Sequence, residues 1–178
     1  MKKTLVASVV AVSLSVFAFA ANAGESTISG GYAQSHVKFN SDKLDDNPKG
    51  FNLKYRYELD NNFGVISSFT YTHKSLEENP VKFDVDYYSL MAGPAYRFNE
   101  YVSVYGMVGA AHGKAKVSLL GVSAEKSKTS ISYGLGLQFN PMPNWTIDTS
   151  YEYSKLGGFA DLGDLKVGTW VVGVGYRF

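Results

Sequence analysis

Beyond about residue 24, apolar and polar positions alternate with a period of two almost throughout. In segment 51–59, Phe51, Leu53, Tyr55, Tyr57 and Leu59 share one face, and Asn52, Lys54, Arg56 and Glu58 share the other. Successive side chains of an extended chain point to opposite sides, so this alternation predicts a β-strand. Segment 145–153 repeats it, with Trp145, Ile147, Thr149, Tyr151 and Tyr153 opposite Thr146, Asp148, Ser150 and Glu152. So do 131–139 and the last segment, which sets Trp170, Val172, Val174, Tyr176 and Phe178 against Thr169, Val171, Gly173, Gly175 and Arg177. Weaker versions cover 28–39, 65–73 and 88–98. An eighth segment, about 101–117, has Gly106, Gly109 and apolar residues on both faces, which leaves its register open and allows a bulge.

Eight strands imply connectors of two kinds. Those at 60–64, 99–100 and 140–144 are short and rich in Asn, Asp, Gly and Pro. Those at about 40–50, 74–86, 118–128 and 156–166 are longer and carry most of the loop charge. Short turns at one end and long loops at the other are the pattern of an outer-membrane barrel. Pro48, Pro80, Pro141 and Pro143 fall in connectors, where a missing N–H costs nothing, and only Pro94 falls in a strand.

The N-terminus reads differently. Lys2 and Lys3 precede an apolar run from about Leu5 to Ala20, which ends at Ala21-Asn22-Ala23. A charged start, a short apolar middle and a small-residue exit predict a secretory signal peptide over 1–23, leaving a barrel over 24–178. No apolar run long enough for a transmembrane helix follows it.

Composition then narrows the class. The 178 residues include 17 Lys+Arg against 16 Asp+Glu, a near balance that argues against nucleic-acid binding. The absence of Cys excludes disulfide scaffolds and thiol chemistry. The 13 Tyr and 11 Phe must sit somewhere, and their place separates two folds. A soluble β-sandwich or lipocalin-like barrel would bury the apolar faces, whereas a membrane barrel turns them outward. Tyrosines near strand ends and a polar face of Gly, Ser and single charges favour the second. The expected fold is therefore all-β: an eight-stranded antiparallel transmembrane β-barrel with a polar, side-chain-filled interior. Its interior charges, Lys54, Arg56, Glu58, Arg97, Asp148, Glu152 and Arg177, are nearly balanced and read as a structural network rather than a pore.

The chain carries Gly30-Gly31-Tyr32-Ala33-Gln34-Ser35, GFNLKYRYE at 50–58, GPAYRFNEYVSVYG at 93–106 and GAAHGKAK at 109–116, followed by YGLGLQFNP at 133–141, DTSYEYSKL at 148–156 and VGTWVVGVGYRF at 167–178. These segments resemble the Ail/Lom/OmpX family of small enterobacterial outer-membrane proteins. GAAHGKAK, YEYSKL and Ser35-His36-Val37-Lys38 are most similar to the Ail-type adhesin branch. The resemblance implies strands that project beyond the membrane on the cell exterior. It also implies attachment to host cells and matrix proteins, invasion and survival against complement, all carried by the exposed loops. The terminal Tyr176-Arg177-Phe178 resembles the end read by the barrel assembly machinery.

The residues allow some chemistry of their own. Lys114, Lys116, Lys126 and Lys128 bracket the third long loop and are candidates for contact with lipopolysaccharide phosphates or sulfated glycans. Equally, they fit solvated lysines guarding a sheet edge. Leu44, Leu119, Leu120, Val122, Phe159, Leu162 and Leu165 fall where water is expected, and are candidate contacts for host cell-surface, matrix or complement-regulatory proteins. His73 and Ser75 share a face in the relation used by lipid A deacylase barrels, and need a third group that Glu77 or Glu78 could supply. Asp42, Asp45 and Asp46 read as a solvated acidic loop, and Gly134-Leu135-Gly136 as small residues in a crowded interior. No catalytic residue, cofactor or metal is expected. The expected function is attachment through the extracellular loops. The alternatives are a structural outer-membrane protein of the OmpX kind and a lipid A-modifying enzyme.

Overall fold

The computed structural model describes residues 25–39, 42–43, 47–78, 81–119, 122–156 and 165–178. The signal-peptide segment 1–23 lies outside them, as do Leu44, Leu120, Phe159 and Leu162. The described residues form nine strands: β1 (Ser26–Phe39), β2 (Asp42–Lys43), β3 (Lys49–Glu58), β4 (Phe63–Glu78), β5 (Val81–Arg97), β6 (Val102–Leu119), β7 (Val122–Met142), β8 (Trp145–Leu156) and β9 (Leu165–Arg177). The two-residue β2 folds back on the end of β1. The other eight pair antiparallel in sequence order, and β9 pairs with β1 to close the barrel. At the seam, Ser26 and Phe178 exchange backbone N–H···O bonds, each 2.9 Å.

The apolar faces point outward. Leu135 is 70% exposed, and Phe51, Leu53, Leu90, Ile131, Trp170 and Val174 are likewise exposed. Inside, buried polar side chains outnumber apolar ones among the described residues. A water-soluble sandwich with this surface would lose the burial that drives folding, so the inverted arrangement belongs to a chain solvated by lipid. Aromatic contacts mark both edges of the apolar band. Phe63, Tyr96 and Phe98 meet edge to face in sequence at the short-turn end, as do Trp145 and Tyr176. Phe51, Tyr71 and Tyr88 follow one another at the other end, where Tyr151 meets Trp170. Aromatic girdles of this kind sit at the two membrane interfaces.

The strands run further than the alternation predicts. β4 and β5 pair as far as Glu78 and Val81, and β6 and β7 as far as Leu119 and Val122. Most of 74–86 and 118–128, expected as loop, is therefore sheet. Above the outer girdle a strand has no lipid face, so its backbone ladder continues after its apolar alternation has stopped. The register of β6 is also settled: Ser103, Tyr105, Met107 and Ala111 point inward, and its pairing with β7 holds one register from Val102 to Leu119 without a bulge. The register shift lies instead between Phe139 and Met142, where β7 turns into β8.

Candidate functional site

The inward charges cluster at two heights. The upper group is built from alternate residues of β3 and β8. Lys54 pairs with Asp148 and donates to Ser150 Oγ at 3.0 Å. Tyr105 OH reaches the same carboxylate at 2.9 and 3.0 Å, lying across Gly136, where any Cβ would strike its ring. Glu152, fully buried, accepts from Thr70 at 2.8 and 3.0 Å, Ser89 at 2.9 Å and Ser68 at 3.3 Å. The lower group lies at the short-turn end. Glu58 pairs with Arg97 and faces Arg177 at 3.6 Å and Arg56 at 3.8 Å. Glu25 pairs with Arg177 and lies 3.5 Å from Arg97. Each charge inside the wall has an opposite charge or a hydroxyl in reach, as burial demands.

The outer wall above the girdle carries different charges. Lys114 and Lys116 are exposed and stand directly opposite Asp86 and Asp84 on β5. Lys128 is exposed too, but pairs with Gly113, whose parity is that of the inward face. Lys126 pairs with Ala115 at the same parity as Lys128. Lys114 and Lys116 thus stand at the opposite parity to Lys128, because each strand alternates its sides.

Register assembles a basic row that lay beyond sequence reading. Lys155 is directly opposite Lys166, Lys166 is opposite Lys38, and Lys38 is opposite Lys43. Lys155 and Lys166 are exposed, with the parity of the lipid-facing Tyr153 and Trp170. Neighbouring strands are about 4.8 Å apart, so four adjacent lysine positions span roughly 14 Å. Lys166 stands four residues beyond Trp170, about 13 Å along the strand. Only the closure of β9 on β1 brings the pair at 38 and 43 to the pair at 155 and 166, so the spacing along the chain gave no signal of the full row.

His73 and Ser75 are bonded to two different carboxylates. His73 Nδ1 lies 2.7 Å from Asp86 Oδ1, which also accepts from Tyr71 OH at 3.0 Å, while Ser75 Oγ donates to Asp84 at 2.6 Å. Each is held by its own carboxylate from β5, and the group beside His73 is Asp86 rather than Glu77 or Glu78. Leu119 and Val122 pair with each other at the tip of a hairpin, and Leu165 pairs with Phe39 and Leu156. Tyr176 and Phe178 face outward at the lower rim. No cluster of three or more metal-ligating side chains occurs among the described residues.

Residues 4–178 match the family model for the outer membrane protein beta-barrel domain. The chain is 58% identical to the attachment invasion locus protein of Yersinia enterocolitica, with all of both chains aligned. It is 47% identical to outer membrane protein X of Enterobacter cloacae over all of both chains. Its fold matches the crystal structure of Ail of Yersinia pestis in complex with the heparin analogue sucrose octasulfate. The TM-score is 0.79 at 57% identity, covering 88% of this chain and all of the other.

Proposed function

The chain belongs to the OmpX/Ail family of outer-membrane β-barrels, and from that premise we propose that it attaches the cell to host surfaces by presenting the lysine row at positions 43, 38, 166 and 155 to sulfated glycans. The observation that carries this reading is the register. Like charges directly opposite one another destabilise a sheet by a few tenths to about 1 kcal/mol per pair. A sheet that keeps three such steps in line gains when a polyanion lies along them. The row is about as long as a short run of sulfated sugars, and a relative binds a heparin analogue. Lys114 and Lys116, each facing an aspartate, add less, and Lys126 and Lys128 stand at the opposite parity.

The same chemistry fits the cell's own outer leaflet, because the row stands about 13 Å along the strand above the girdle, near the level of lipopolysaccharide phosphates. Protein contacts with matrix or complement-regulatory partners are assigned to the long connectors, with Leu119 and Val122 at a described hairpin tip and Leu44, Leu120, Phe159 and Leu162 as sequence candidates outside the described residues. The reading is one of binding rather than catalysis, supported by His73 and Ser75 being held by different aspartates. Removal of residues 1–23 as a signal peptide, and recognition of Tyr176 and Phe178 by the assembly machinery, complete the reading.

The test displays the protein on a non-adherent Gram-negative host and measures binding to heparin, matrix and cultured cells. Replacing Lys38, Lys43, Lys155 and Lys166 by Ala is expected to abolish heparin and cell binding at unchanged surface level. Deletion of hairpin tips is expected to affect only protein ligands. Binding equal to the parent in the four-lysine variant would overturn the glycan reading. Heparin retention by purified protein in detergent separates host glycan from lipopolysaccharide.

A further inference from the structure

The barrel interior is balanced as a whole but not locally. The upper part holds the Lys54–Asp148 pair and Glu152, which leaves it negative. The lower part holds Arg56, Arg97 and Arg177 around Glu58, with Glu25 at the mouth. Among the described residues, three guanidiniums there face two carboxylates, and Glu25 is 59% exposed to solvent. The buried share of the lower cluster therefore carries more positive than negative charge.

Its hydrogen bonds show the same imbalance. Arg56 is 2% exposed and donates from one terminal nitrogen to Gln138 Oε1 at 2.8 Å. Its Nε and other terminal nitrogen are buried without a hydrogen-bond partner. So are Gln138 Nε2 and Ser103 Oγ, and Gln138 and Ser103 stand directly opposite each other on β7 and β6. Arg97, the next position of that row on β5, has a buried Nε without a partner, and Arg177 has another. Nearly all of these atoms are donors, and a buried donor without an acceptor costs about 1–3 kcal/mol. The strands place them on facing walls: Arg177, Thr27 and Arg56 form one register row, and Arg97, Ser103 and Gln138 form another. The Arg56–Gln138 bond ties the two rows across the lumen.

A cavity of about 390 Å³ at the lower mouth is lined by Asn61, Asn62, Asn99, Glu100, Glu25, Arg97 and Arg177, so it reaches the outer guanidiniums of the cluster but not Arg56, Gln138 or Ser103. Glu25 and Glu100 put negative charge at its rim, so an anion gains most beyond them, at the guanidinium layer.

We infer that the periplasmic end of the barrel binds one small inorganic anion of chloride size, held by Arg56, Gln138 and Ser103 and admitted past Arg97 and Arg177. The ligand is monatomic because the lumen of an eight-stranded barrel is filled by its own side chains. A phosphate or carboxylate would stop at the mouth. The anion supplies the missing acceptor and the missing negative charge, and so joins the two register rows in the folded barrel.

The test uses the refolded mature protein in detergent at constant ionic strength, with chloride exchanged against gluconate. A ligand that binds only the folded state raises the unfolding temperature with its concentration. The parent is expected to show this rise, and Gln138→Leu, which keeps every charge, is expected to lose most of it. Arg56→Met is expected to lose it entirely. Crystals grown in bromide are expected to show an anomalous peak within hydrogen-bonding reach of Arg56 and Gln138, which stands even where a variant fails to fold. A chloride response of equal size in parent and Gln138→Leu would overturn the site. So would bromide found only in the mouth cavity, or no anomalous peak at all.

Discussion

Two rows of charge in this barrel obey opposite rules. Inside the wall, Lys54 is set against Asp148, Arg97 against Glu58 and Arg177 against Glu25. Above the girdle, the register sets positions 43, 38, 166 and 155 side by side across β2, β1, β9 and β8. Burial explains the first, because an unpaired charge in a low-dielectric interior is expensive and folding selects its partner. The register alone does not favour the second, since adjacent like charges oppose the sheet that carries them. The interior charges serve the fold, and the role proposed for the rim lysines is to meet a polyanion from outside.

Breaking the interior should give the largest effect. Asp148→Ala leaves Lys54 buried without its carboxylate and Tyr105 OH without an acceptor, an expected loss of about 3–5 kcal/mol. Urea unfolding in detergent micelles measures it. The double change Lys54→Met with Asp148→Leu should restore most of that loss, because apolar replacements of a whole buried pair are near neutral. At the rim, Lys155→Ala with Lys166→Ala should weaken heparin binding by about 1 kcal/mol per lysine, roughly fivefold each. Elution from a heparin column reports this, and the parent's retention should fall steeply between 0.1 and 1 M salt as the screening length shrinks from about 10 to 3 Å. The rim variant should be as stable as its parent or more so by a few tenths of a kcal/mol, the opposite sign from the interior variant.

The smallest effect concerns a charge outside both rows. Asp60 accepts from the backbone N–H groups of Phe63 at 2.7 Å and Asn62 at 2.8 Å, which hold its carboxyl below the usual value. A depressed folded value means the contribution is complete above the ordinary Asp range, near pH 4, and is lost as pH falls through the lower folded value. Asp60→Asn should remove that acid dependence, seen as a parallel pH–stability curve below about pH 4.

The barrel was legible in the chain wherever one face of a strand meets lipid. Residues 51–59 and 145–153 alternate without error because Leu53 and Ile147 touch hydrocarbon while Lys54 and Asp148 do not. Above the outer girdle both faces meet water, the alternation stops, and strand was read as loop. Tyr87 and Tyr105 look like the outward tyrosines of other strands, but their hydroxyls find Ser154 and Asp148 inside. The lysine row was hidden for another reason. It joins positions 38 and 43 to 155 and 166 through barrel closure, and no local pattern reports closure.

The most direct measurement compares heparin affinity in two variants folded to the same extent in the same micelle. One carries Ala at positions 38, 43, 155 and 166, and the other carries Lys54→Met with Asp148→Leu. The account predicts that the first loses binding by at least two orders of magnitude, from about 1 kcal/mol per lysine, while the second binds as the parent does. Equal binding by all three proteins, or loss confined to the interior variant, would contradict it.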